Sequence, residues 1–129
     1  MTKENIRISF LHRSGFAVEF EDCVLLLDVW KDPSGEVRRI AEHTSKPLYF
    51  FVSHCHEDHF NPCIWDYRDR ASAYIMHKDC YAAGRFTDKT YLMEPETSLQ
   101  VGPLTVDMGG STDVGGSFWI HHHGRTIFH

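Results

Sequence analysis

No run of apolar residues in this sequence approaches the roughly 20 that a helix needs to cross a bilayer, so a membrane-spanning segment is not expected. A secretory leader is not expected either. The opening Met1-Thr2-Lys3-Glu4-Asn5 is polar, and the first apolar stretch is short and broken by His12 and Arg13. Basic residues do not gather. The formal charge is −5 and the pair Arg38-Arg39 reads as a solvated helix face, which argues against nucleic acid as a partner. The four cysteines, Cys23, Cys55, Cys63 and Cys80, have no C-x-x-C pairing. They read as free thiols in a reducing compartment, with the cytoplasm the expected location. Repeats, linkers and low-complexity tracts are missing too, so residues 1–129, 42% of them hydrophobic, are expected to make a single domain with its own core.

Histidine is what the chain has in excess, ten in all. Three of them fall in Ser53-His54-Cys55-His56-Glu57-Asp58-His59-Phe60, directly after the apolar Leu48-Tyr49-Phe50-Phe51-Val52. Along extended backbone His54 and His56 project to one side and Cys55 and Glu57 to the other. Cys55 therefore reads as a buried thiol rather than a ligand or a nucleophile. Asp58 and His59 follow where the chain turns, and Asn61-Pro62 has the form of a helix start, Asn as N-cap and Pro in the first position. Imidazole nitrogens with a carboxylate oxygen suit zinc and, less selectively, iron or manganese. His54 and His56 are placed to hold one ion, with Asp58 and His59 able to hold a second beside it. The plain alternative is a polar loop whose histidines only cap or hydrogen-bond. Four ligand types packed this closely after an apolar strand favour metal.

The rest of the chain supplies a scaffold. Residues 6–12 and 16–20 alternate apolar and polar, and Val24-Leu25-Leu26-Leu27 is the continuous run of a strand buried on both faces. Tight turns join these three into an antiparallel meander. Residues 36–43 have helical spacing, 48–53 is the strand that delivers the histidines, and a helix is predicted from Pro62 to about Arg70. A strand at 73–76, a short helix at 79–85 and short strands at 91–93, 99–101 and 104–108 follow. A Gly-rich loop at 109–116 leads into a strand at 117–120, a turn at His122-His123-Gly124, and a return strand at 125–128.

The motif resembles the H-x-H-x-D-H signature of the metallo-β-lactamase superfamily, with His54, His56, Asp58 and His59 in its four places. The early hairpin with Ser14-Gly15-Phe16 and the segment Leu25-Leu26-Leu27-Asp28 resemble the opening strands of that family. The run from Gly110 to Phe118 resembles its Gly-His-Thr-Pro-Gly-Ser segment, and the ascorbate-6-phosphate lactonase-like branch is the subgroup it looks most like. The resemblance implies an α+β fold of the αββα sandwich type, a mixed and largely antiparallel sheet with flanking helices. It implies that Asp28 orients a ligating histidine without binding metal itself. It also implies a hydrolase of a small-molecule substrate, in which a zinc-activated water attacks an ester, lactone, amide or phosphodiester bond and Asp58 positions that water and relays its proton.

Two departures from the family pattern open other readings. Its third site histidine falls at Ser111, a poor zinc ligand, which leaves Asp113 or a histidine from elsewhere in the chain as the substitute. Its bridging Asp and last histidine lie past His129, so the chain corresponds to the N-terminal half of the fold and is expected to be incomplete at its C-terminus. A catalytically incomplete metal-binding or interaction module is one alternative, with a homodimer closing the sheet if the chain is naturally this short. An iron-dependent oxidoreductase on the same scaffold is another. Outside the motif, His121-His122-His123 reads as an exposed hairpin tip rather than a metal site, and His129 matches the residue before the family's Gly-Asp, not a ligand. Trp30, Trp65 and Trp119 read as core or pocket-wall aromatics, with Trp30 the best placed to line the site.

Overall fold

The computed structural model describes residues 6–11, 15–29, 32, 34–54, 61–83, 88–110 and 115–129. Six strands form one sheet in chain order: Arg7–Phe10 (β1), Phe16–Glu19 (β2), Val24–Leu27 (β3), Leu48–Val52 (β4), Ala71–His77 (β5) and Thr90–Met93 (β6). Every residue of β3 and β4 is buried, as their unbroken apolar runs require of strands covered on both faces. The expected meander is present: β1, β2 and β3 pair antiparallel, with Phe16 opposite Leu27 and Glu19 opposite Val24. From β3 onward the sheet is parallel, Leu25 lying beside Tyr49 and Phe50 beside Tyr74. Thr97–Val101 (β7), Leu104–Gly110 (β8), Gly116–His122 (β9) and Arg125–Phe128 (β10) make a second, antiparallel sheet in the order β10-β9-β8-β7.

Alternation along the strands of the first sheet sorts its side chains into two cores. Leu26, Phe50, Val52, Tyr74 and Met76 face one way, against Val37, Ile40 and Ala41 of the helix Glu36–His43 (α1) and against Ile64 and Trp65. Leu25, Leu27, Phe51, Ala73 and Ile75 face the other way, against Leu104, Val106, Met108, Phe118 and Ile120 of the second sheet. The result is a layered α+β sandwich of helix, sheet and sheet. Among the described residues no helix is long and apolar enough to cross a membrane.

The connections differ from expectation in detail. The helix predicted from Pro62 to about Arg70 is a 3₁₀ helix, Pro62–Tyr67. Its start is as read: the Asn61 side chain accepts from the Cys63 amide at 2.9 Å, with Pro in the first turn. The Arg68 and Arg70 amides then reach back three residues, to Trp65 and Tyr67, the bonding of a short connector pulled tight to keep Ile64 and Trp65 on the sheet. The helix predicted at 79–85 is likewise 3₁₀, Lys78–Ala83. The Gly-rich segment is partly strand, since Gly109 pairs with Ser117 and Gly110 with Gly116. Trp119, expected in the core or a pocket wall, points outward from β9. It is 39% exposed and leans on Phe128 across the ladder, ring centroids 4.6 Å apart.

Candidate functional site

Four chain segments meet at one end of the sandwich: the C-terminal ends of β3, β4 and β10, and the N-terminal end of β9. Asp28, directly after β3, is fully buried and takes a left-handed backbone, φ 48°, which Asp tolerates better than most residues. Its amide still donates to the Phe51 carbonyl at 2.8 Å, so the turn begins without breaking the pairing to β4. The carboxylate accepts the Ser53 amide at 2.7 Å on Oδ1 and the Ser53 hydroxyl at 2.6 Å on Oδ2. It also accepts Nε2–H of His129 at 2.8 Å.

Ser53 carries this ordering one residue further. Its Oγ lies 2.7 Å from Nδ1 of His54. The serine has one hydroxyl proton, and Asp28 takes it, so Nδ1–H of His54 must be the donor to Oγ. That tautomer puts a lone pair on Nε2, the state a metal-ligating histidine needs. From the other side, backbone packs against the ring. The Gly116 amide donates to the Ser53 carbonyl at 2.9 Å, and a Cβ placed on Gly115 would sit 2.5 Å from Cδ2 of His54. Gly115 also holds φ +120°, so glycine is needed there both for its backbone angle and for its missing side chain.

His56, Asp58 and His59, with Cys55, Ser111, Asp113 and Trp30, lie outside the described residues. Of the sequence-predicted site residues, the described ones are His54 and Asp28, and the fold places them at neighbouring strand ends, linked through Ser53. His54 fits a metal: its ring is fixed through Nδ1, and imidazoles with a nearby carboxylate are the donor set of a zinc, iron or manganese centre. Sequence reading missed Ser53, Gly115 and His129. Ser53 could have been found from its position between an all-buried strand and the first histidine. His129 had no local signal, because its partner lies 101 positions away. Beside His129 is an apolar cavity of about 200 Å³ lined by Phe16, Leu27, Ile127 and Phe128 among others.

No family model and no curated protein sequence matches the chain. Solved structures do. The metallo-β-lactamase fold protein YhfI from Bacillus subtilis superposes with a TM-score of 0.60 at 18% identity, over 90% of this chain and 53% of its own. The fold is that of the metallo-β-lactamases. Igni18, a metallo hydrolase from Ignicoccus hospitalis, gives a TM-score of 0.69 at 15% identity, over 96% of this chain and 59% of its own. CmlA, a diiron β-hydroxylase from Streptomyces venezuelae, gives 0.71 at 15% identity, over 98% of this chain and 29% of its own. The chain thus spans 59% of the length of Igni18, 53% of YhfI and 29% of CmlA.

The other histidine cluster departs from expectation. His123 is exposed at the turn as predicted, but His122 is buried at 1%, its ring packed at a tilt against Phe20 with centroids 4.1 Å apart. Strand alternation gives the reason: Phe118, Ile120 and His122 share the inward face of β9. His121 faces outward, between Asp107 at 2.9 Å and Thr126 at 3.0 Å.

Proposed function

We propose that this chain is the metal-binding half of a metal-dependent hydrolase acting on an ester, lactone, amide or phosphodiester bond of a small molecule. The observation that carries the reading is the Asp28–Ser53–His54 chain of hydrogen bonds, which fixes one motif histidine in a ligating tautomer. His54, His56, Asp58 and His59 would hold one or two zinc ions. When bound, zinc polarises the scissile group and makes water a nucleophile near neutral pH. Asp58 orients the attacking water and accepts its proton, Asp28 and Ser53 keep the His54 ring from turning, and the cavity beside His129 takes the apolar part of the substrate. Metal content and turnover of lactone, thioester and phosphodiester panels test this on wild type and His56→Ala. A metal-loaded but inert wild type, or an equally active variant, ends the reading.

A second reading is an iron-dependent oxidoreductase, supported by the likeness to the diiron β-hydroxylase over nearly the whole chain. Purification with iron at two equivalents and a visible absorption band would favour it over the zinc hydrolase.

A further inference from the structure

We infer that Asp22, His122 and His123 form a second metal site, for a zinc-like divalent ion, at the end of the sandwich opposite Asp28 and His54. The Asp22 carboxylate receives Nε2 of His122 on one oxygen at 2.8 Å and Nε2 of His123 on the other at 3.1 Å. One ligand atom from each of the three residues lies within 4.8 Å of the others. Two imidazole nitrogens and one carboxylate oxygen are a common zinc set, with the remaining position left to water or a further ligand.

Adjacent residues of a strand face opposite ways, so His122 and His123 would not converge if β9 simply continued. They converge because the strand stops between them. His123 takes φ 48° and Gly124 φ 77°, a two-residue turn with both angles positive. That left-handed backbone swings the second imidazole back beside the first, ring centroids 4.0 Å apart. Asn or Gly is the usual occupant of such a position, and His at this point puts a ligand where the turn alone asks for none. Asp22 arrives from the turn before β3, in the other sheet. One ion here ties the two sheets together.

The site is separate from Asp28 and His54. Asp22 precedes β3 and Asp28 follows it, a strand of four residues or roughly 13 Å. Access is suitable for an ion from solution: the His122 ring is fully buried, while the His123 and Asp22 side chains are 60% and 43% exposed. His121 takes no part, its ring being held by Asp107 and Thr126 on the opposite face.

The test is zinc and cobalt titration of the stripped full chain in a His56→Ala background, so that motif binding is weakened throughout. His122→Ala is buried and risks misfolding, so His123→Gly, which suits the left-handed turn, and Asp22→Asn carry the comparison. The inference predicts one equivalent of zinc lost, or its affinity weakened at least tenfold, in both variants relative to their background, with unchanged far-UV circular dichroism. It further predicts that zinc raises the thermal midpoint of the background and not of the variants. Equal zinc uptake by His56→Ala and by His56→Ala/His123→Gly overturns it, whatever the motif binds.

Discussion

Asp28 and His129 stand 101 positions apart in the chain and meet through a 2.8 Å hydrogen bond onto a carboxylate with no exposure to solvent. The register of β10 on β9 makes the meeting possible. His129 exchanges both backbone hydrogen bonds with Phe118, one residue beyond the Phe128–Trp119 pair. Asp28 thereby pins the end of the second sheet to the point where the first sheet delivers His54.

Removing that carboxylate should be costly. Asp28→Ala leaves the Ser53 amide, the Ser53 hydroxyl and the His129 ring without their acceptor, and is expected to destabilise by about 3–5 kcal/mol. Asp28→Asn keeps part of the bonding and is expected to cost about 1–3 kcal/mol. Urea unfolding monitored by tryptophan fluorescence measures both. A loss under about 1 kcal/mol for the alanine variant would show that the network is dispensable.

Gly115→Ala and Gly35→Ala form a controlled pair. Both glycines have positive φ, but a Cβ at Gly35 meets nothing within 4 Å, while one at Gly115 meets His54 Cδ2 at 2.5 Å and the Ser53 carbonyl at 2.6 Å. Gly35→Ala should cost only the backbone penalty, about 1 kcal/mol. Gly115→Ala adds steric conflict and should cost roughly 2–4 kcal/mol, with metal binding disturbed as well. Equal costs would contradict the close packing of the loop on the imidazole.

Cys63 should behave as an inert thiol. Burial pushes its pKa up to about 11, with the Asp66 and Asp32 carboxylates adding to the effect. Its alkylation by iodoacetamide at pH 8 should therefore run well over tenfold slower than that of a free cysteine, and should climb steadily as pH approaches 11. Mass-spectrometric mapping of the modified peptide reads this out. Fast labelling at pH 7 would refute it.

Asp107 offers a pH-dependent contact with a defined sign. Hydrogen bonds from Ser98 and then His121 hold its carboxyl below the ordinary aspartate value. A depressed folded pKa means that the stabilisation is complete above the unfolded value and is lost as pH falls through the folded one, on the acid side of about pH 4. Ser98→Ala removes the larger cause and should move the Asp107 titration upward, as followed by carboxyl NMR. An unmoved midpoint would assign the depression to something other than Ser98.

Much of the scaffold was legible in the sequence because burial on two faces leaves a strong mark. The Val24–Leu27 and Leu48–Val52 runs read as central strands and are such, and Asn61-Pro62 announced a cap that Cys63 uses. The kind of helix after that cap was not legible, since 3₁₀ bonding is imposed by the short span that has to keep Ile64 and Trp65 on the sheet. His122 was legible and was misread. The period of two through Gly116, Phe118 and Ile120 includes it, but three histidines beside a glycine turn suggested a wet tip. Trp119 erred the other way, because size suggested burial while the same period put it outside. The contacts of His129 with Asp28 and of Asp22 with His122 depend on pairing between remote segments, and no local pattern carries that information.

The β9–β10 hairpin also behaves as a caliper of fixed length. One jaw is His122 and His123 at Asp22, and the other is His129 at Asp28, with the rungs from Arg125–His122 to Phe128–Trp119 between them. Because side chains alternate along each strand, a slip of one rung would turn the wrong face inward and open both jaws together. Correct registration of this hairpin is therefore read at both ends of the molecule at once.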